Sequence, residues 1–154
     1  MGVEIERKFL VIDDGWREQA DAGTVMRQAY LASTPQRTVR VRVTGDQAWL
    51  TIKGASRGAV RAEFEYPIPA DEAASLLALA ETGIVEKTRY RVAHGGRSWE
   101  VDVFAGENAP LVMAEIELER EDAEVALPRW VGEEVTGRPE FQNSQLAQHP
   151  FGRW

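Results

Sequence analysis

A chain of 154 residues, 44% hydrophobic and 28% charged, can bury one core and is too apolar to be disordered. Its formal net charge of −7 excludes a nucleic-acid groove run by bulk charge, so an anion must be met by a local basic cluster. No cysteine is present, which removes disulfides, thiolate nucleophiles and zinc–thiolate sites, and the two histidines, His94 and His149, stand at no metal-ligand spacing.

The first predicted strand covers residues 3–12. Side chains alternate across a strand, so Val3, Ile5, Phe9 and Val11 share one face, interrupted only by Arg7, and Glu4, Glu6 and Lys8 share the other. Asp13-Asp14-Gly15 breaks the run, and residues 16–22 predict a short helix closed near Gly23. Residues 25–31 read as a strand carrying Arg27, Gln28 and Tyr30. After a turn at Thr34-Pro35, residues 38–44 alternate Val39, Val41 and Val43 with Arg40 and Arg42. Gly45-Asp46 predicts a hairpin into residues 48–53, where Trp49 faces away from Leu50, and Thr51 and Lys53 point the same way.

Residues 60–68 set Arg61, Glu63 and Glu65 against Phe64 and Tyr66, and Pro67 and Pro69 suggest an edge. The best helix is predicted over 71–81, with Asp71 as N-cap, an apolar side built from Ala74, Leu76, Leu77, Ala78 and Leu79, and a stop at Gly83. Residues 85–93 place Lys87, Arg89 and Arg91 opposite Thr88, Tyr90 and Val92. After the Gly95-Gly96 turn, residues 97–104 place Glu100 and Asp102 opposite Trp99, Val101 and Val103. Residues 111–120 place Met113, Glu115, Glu117 and Glu119 opposite Val112, Ala114, Ile116 and Leu118. Short helices are predicted over 121–127 and 144–148. Residues 1–149 are expected to form a single domain and 150–154 a C-terminal tail. No signal-peptide pattern or membrane-length apolar run is visible, so a cytoplasmic location is expected, without membrane or nucleic-acid partners.

Eight strands joined mostly by turns predict an α+β protein that is mainly antiparallel sheet, closed as a barrel with a few flanking helices. The polar strand faces either lie in water or line the inside. They are almost wholly charged, and the charges are sorted by strand: Glu4/Glu6, Glu63/Glu65, Glu100/Asp102 and Glu115/Glu117 are acidic, while Arg40/Arg42 and Lys87/Arg89 are basic. Like charges two apart repel unless opposite charge sits between the strands. An inward-facing arrangement, a tunnel with a charged lumen, supplies it. Buried charges must be paired or ligated, and a divalent metal with a polyphosphate satisfies both signs.

Glu4-Ile5-Glu6-Arg7-Lys8 matches the ExExK signature of the CYTH superfamily, the triphosphate tunnel metalloenzymes, and later segments resemble the family's motifs in order. These are Arg40-Val41-Arg42, Thr51-Ile52-Lys53, Glu63-Phe64-Glu65, Glu86 to Tyr90, Glu100-Val101-Asp102 and Glu115-Ile116-Glu117. The chain is most similar to the compact bacterial members of the inorganic triphosphatase type. The resemblance implies an eight-stranded tunnel that processes triphosphates with Mg²⁺ or Mn²⁺. By position, Glu4, Glu6, Glu115 and Glu117 resemble the metal ligands, and Lys8, Arg40, Arg42, Lys53, Lys87 and Arg89 the phosphate clamp. Glu63, Glu65, Glu100 and Asp102 are candidates for a second metal, for orienting water or for pairing with the basic residues. Tyr30 is either a wall aromatic or a catalytic group whose hydroxyl reaches Lys8 across neighbouring strands.

The family's reactions include hydrolysis of tripolyphosphate to pyrophosphate and orthophosphate, thiamine or nucleoside triphosphate hydrolysis, and adenylyl cyclisation. A non-catalytic polyphosphate-binding module is the alternative of another class. Some relatives carry a lysine in the closing helix; residues 141–145 here carry none, leaving Arg138 to supply that contact or nothing. The tryptophans are expected in the shell and surface and not around a base.

Overall fold

The computed structural model describes residues 2–154. Nine strands form one antiparallel sheet: β1 (Val3–Val11), β2 (Thr24–Thr34), β3 (Arg37–Thr44), β4 (Gln47–Gly54), β5 (Val60–Ile68), β6 (Val85–His94), β7 (Arg97–Phe104), β8 (Val112–Glu117) and β9 (Val131–Glu134). Their order is β5-β4-β3-β2-β6-β7-β8-β1-β9, and a β5–β1 pairing closes the first eight into a barrel. β1 is therefore shared. Its start, Val3 to Ile5, pairs with β5, while its end, Phe9 to Val11, pairs with β9. Beyond Ala62, β5 has β4 alone as a strand neighbour, which agrees with the edge expected from its prolines.

The alternation seen in the sequence is why the wall works. Charged side chains point into the lumen, and the apolar faces point outward, where other segments must cover them. On the β1–β7–β8 side the covering layer is a 3₁₀ turn (Gly15–Gln19) with Trp16, together with Leu118, Ala123 and Trp130 from the segment after β8. Trp99 sits at the centre, its ring 5.6 Å from Phe9 and 5.7 Å from Trp130. A second cluster joins Val85, Phe104, Leu111, Met113 and Val135 to Phe141 and Leu146. Arg7, which breaks the apolar face of β1, makes a bidentate pair with Glu134 of β9 and lies over the Phe9 ring.

Several local expectations are corrected. The helix α1 spans Ala70–Ala78 and not 71–81; its N-cap is Pro69, with no side-chain cap, and its packed side is Ala73, Leu76 and Leu77 at helical spacing while Leu79 is exposed. Residues 16–22 form only the 3₁₀ turn. Residues 121–127 are not helical, because Ala123 and Val125 are drawn onto the Trp99 cluster. The last helix, α2, covers Asn143–Leu146. The expected tail packs down instead: Phe151 N–H donates to Asn108 Oδ1, and Trp154 stacks on Phe141 and Phe151. β9 has no counterpart in the expected elements. Its Gly132 lies so close to β1 that a Cβ there would run into the Ile12 side chain.

Candidate active site

The lumen is a cavity of about 450 Å³ lined by side chains from all eight barrel strands and by Gln142, Asn143 and Ser144. Every expected site residue lines it except Asp102, which is fully buried behind it. The cross-strand register brings the motifs together: Glu6 stands opposite Glu117 and Lys8 opposite Glu115 across β1–β8, Arg40 opposite Thr51 and Thr38 opposite Lys53 across β3–β4, and Arg89 opposite Asp102 across β6–β7.

One corner is acidic. Carboxylate oxygens of Glu4, Glu6 and Glu117 all lie within 4.8 Å of one another. Glu4 is buried, yet its Oε1 accepts from Lys53 Nζ at 2.8 Å and Arg61 Nε at 2.7 Å. Burial disfavours its charge, but those two cations outweigh burial and bring the carboxyl down to about 2. The Glu6 carboxylate has no hydrogen-bond or ion-pair partner among the described residues. Burial, then the neighbouring charge of Glu115, pushes it up to about 8. Three converging carboxylates, of which Glu6 and Glu117 have no ion-pair partner among the described residues, are a donor set that suits a hard divalent cation. Glu115 is committed elsewhere, 3.9 Å from Lys8 Nζ and 3.5 Å from Arg89 Nη2.

The facing region is basic. Arg40, Arg42, Lys87 and Arg89 crowd together, and burial followed by the charges of Arg40 and Arg89 lowers Arg42 to about 9, still charged at neutral pH. Asp102 accepts from Lys87 Nζ at 2.7 Å and from Arg89 Nε and Nη2 at 2.8 Å each. Burial opposes its charge, but Arg89 and Lys87 overcome it and hold the carboxyl far below the usual carboxylate range. Lys87 is pulled the other way, down to about 7, because burial, helped by the like charges of Arg89 and Arg42, outweighs Asp102. Their contact distance makes a charged pair with Asp102 the better description. Arg40 Nη2 reaches Thr51 Oγ1 and Glu65, whereas its Nε is buried without a partner among the described residues. That donor is unspent.

Two expectations about the site, on Tyr30 and on the tryptophans, are corrected. Tyr30 is buried and lines the lumen, but β2 and β1 stand on opposite sides of the eight-strand ring, so no neighbouring-strand contact with Lys8 exists. Arg138 pairs with Glu133 and Glu140 and lines a small side pocket with Glu4, Glu6 and Lys8, outside the main cavity. The tryptophans are not all shell residues, since Trp49 lines the lumen beside Thr44 and Gln47. Its place followed from strand parity with Thr51 and Lys53. Sequence reasoning also missed Arg61, Gln28 and Asn143. Arg61 was legible from its parity with Glu63, whereas Asn143 lies on a four-residue helix with no periodicity to read.

A CYTH domain model matches residues 2–147. The chain is 47% identical over 152 residues to an inorganic triphosphatase of Acetivibrio thermocellus, covering 98% of this chain and 97% of that one. It is 39% identical over 150 residues to an inorganic triphosphatase of Nitrosomonas europaea, covering 94% and 96%. The crystal structure of the inorganic triphosphatase NE1496 superposes with a TM-score of 0.66 at 37% identity, over 94% of this chain and 93% of that one. With a domain match across nearly the whole length and a closed tunnel to go with it, the chain belongs to the CYTH domain family.

Proposed function

We propose that the protein is an inorganic triphosphatase, hydrolysing tripolyphosphate to pyrophosphate and orthophosphate inside the barrel. The observation that carries this is the pair of inorganic triphosphatase relatives that cover almost the entire chain. The lumen supports it by its charge layout, with an unbalanced carboxylate corner facing a basic wall. In our reading Glu4, Glu6 and Glu117 hold Mg²⁺ or Mn²⁺, and Glu115 serves chiefly to seat Lys8 and Arg89. A divalent cation bound there supplies charge neutralisation at the phosphate oxygens as phosphorus is attacked. Lys8, Arg40, Arg42, Lys53, Lys87 and Arg89 bind the remaining phosphate oxygens, and the orphan Arg40 Nε–H is free to donate to one of them. Glu63 and Glu65 set the positions of Lys53 and Arg40, and Glu100 and Asp102 that of Arg89. Tyr30 is placed to contact substrate from the far side of the lumen. The substrate is a free small molecule, and we assign the protein to the cytoplasm. Among the described residues no helix is long and apolar enough to cross a membrane.

Trp49 favours one second reading, hydrolysis of an organic triphosphate whose ring stacks on the indole. Phosphate release from the purified protein separates the two. Tripolyphosphate, ATP, thiamine triphosphate and pyrophosphate are compared with Mg²⁺, with Mn²⁺ and in chelator. Fast metal-dependent turnover of tripolyphosphate above the rest is expected. Preference for ATP or thiamine triphosphate would move the assignment to the second reading, and tight binding of tripolyphosphate without turnover would leave a binding module.

A further inference from the structure

α2 is only four residues long, yet it carries an amide that touches the basic wall. Leu146 anchors it in the Phe104–Met113–Phe141 cluster, and Asn143 enters the lumen lining. The Asn143 side-chain oxygen, Oδ1, accepts from Lys87 Nζ at 2.9 Å and from Gln28 Nε2 at 3.0 Å. Gln28 is completely buried, and its Oε1 accepts from Arg42 Nε at 2.8 Å. A single neutral oxygen thus ties together cations from two different strands, Lys87 of β6 directly and Arg42 of β3 through Gln28.

The chemistry of that oxygen matters. Lys87 and Arg89 share one fully buried carboxylate, Asp102, and Arg89 takes two of the three N–H bonds it accepts, while Arg42 has Gln28 Oε1 as its partner. Lys87 has three N–H bonds; Asp102 and Asn143 accept two and leave one for the lumen. A carboxylate in place of Asn143 would orient the ammonium but cancel its charge. An apolar side chain would leave the charge and lose the aim. The amide orients without neutralising, which is what an anion-binding cation requires.

We propose that Asn143 is a positioning residue of the phosphate clamp, aiming Lys87 and, through Gln28, Arg42 at the substrate, so that α2 is part of the anion site and not only a plug. This rests on the reading of the lumen as a tripolyphosphate site. The test uses Asn143→Ala, Gln28→Met and the double variant, each checked for its melting temperature. Tripolyphosphate affinity is measured by calorimetry in chelator, and KM and kcat separately with metal. Loss of one hydrogen bond to a charged group predicts affinity weakened about tenfold in each single variant, with KM rising more than kcat falls. Because both act on one network, the double variant should be little worse than the weaker single. Gln28→Met keeps the test open if Asn143→Ala folds poorly. Affinity and KM unchanged in both singles, or effects that simply add, would overturn the proposal even where stability falls. A wild-type protein that neither binds nor turns over tripolyphosphate overturns the functional reading itself, a result recognisable before any variant is made.

Discussion

Asp102, fully buried behind the lumen, and Glu6, half-buried and facing it, are acidic groups of one barrel, and they live in opposite conditions. Asp102 accepts three short hydrogen bonds from Lys87 and Arg89 and stays ionised far below its ordinary range. The Glu6 carboxylate makes no ion pair among the described residues, and burial, then the charge of Glu115, outweighs the opposing charge of Lys8 and pushes it up to about 8. A buried charge that the chain balances by itself is frame. A buried charge left unbalanced costs free energy that only something from outside can return. The basic corner is thus largely balanced by the chain itself, and the acidic corner is not.

The most severe way to break that contrast is Asp102→Asn. Removing one partner from a buried ionic cluster costs about 3–5 kcal/mol, because Arg89 and Lys87 keep their charges. Urea unfolding near neutral pH checks this, and a loss as small as that of a surface substitution would show that the basic corner is not internally balanced. The sign of the pH effect follows from the depressed carboxyl. Its contribution is fully present above the ordinary value of 3.8 and is lost only as the pH falls through the much lower folded value.

Next in size are Glu4→Gln and Glu6→Gln. Each should lower turnover of tripolyphosphate about a hundredfold or more by weakening the carboxylate corner. Anion binding in chelator should largely survive, since Arg40, Arg42, Lys87 and Arg89 keep their partners and, of the clamp, only Lys53 loses one, in Glu4→Gln. Glu6→Gln should leave folding stability equal or higher, the reverse of Asp102→Asn. A Glu4→Gln protein with an unchanged rate would refute the metal assignment.

A finer test uses pH. The folded pKa of Glu6 near 8 lies above its ordinary 4.5, so between those values the folded state binds more protons than the unfolded. In chelator, the part of the stability due to Glu6 is therefore fully present below pH about 4.5 and is lost as pH rises through 8. Glu6→Gln should remove that slope, seen as a difference between the wild-type and variant melting curves. Added Mg²⁺ or Mn²⁺ should raise the wild-type melting temperature more at pH 8 than at pH 6. A stabilisation independent of pH would mean that the ion sits away from Glu6.

The contrast also shows what strand parity can and cannot convey. Alternation in β1, β3, β6, β7 and β8 told which side chains share the lumen, and strand-wise sorting of charge told that they face inward. Neither says which carboxylate meets which cation. Glu115 and Glu117 are equivalent by parity, yet the offset between β1, β8 and β7 gives Glu115 to Lys8 and Arg89 and leaves Glu117 beside Glu6. Tyr30 and Lys8 are separated by ring order, a property of closure that no single strand encodes. Asn143 and β9 were invisible for another reason. Both lie in short segments held by tertiary contacts, where periodicity has too few residues to register.

The smallest expected effect lies on the outside of β1, one residue from Glu6. Arg7 makes two hydrogen bonds of 2.9 Å to Glu134, a better geometry than several pairs in the lumen. If geometry alone set the value of an ion pair, Arg7→Ala would rival Asp102→Asn. It should not, because Arg7 and Glu134 both remain in partial contact with water, which screens the pair and rehydrates the partner left behind. A loss of about 1 kcal/mol or less is expected, shrinking further as salt is added, together with a little from the stacking on Phe9. Thermal unfolding at low and high salt measures it. A larger, salt-insensitive loss would mean that the Arg7–Glu134 link is what holds β9 against β1, and that the wall beside Glu6 depends on its outer surface as well as on its lumen.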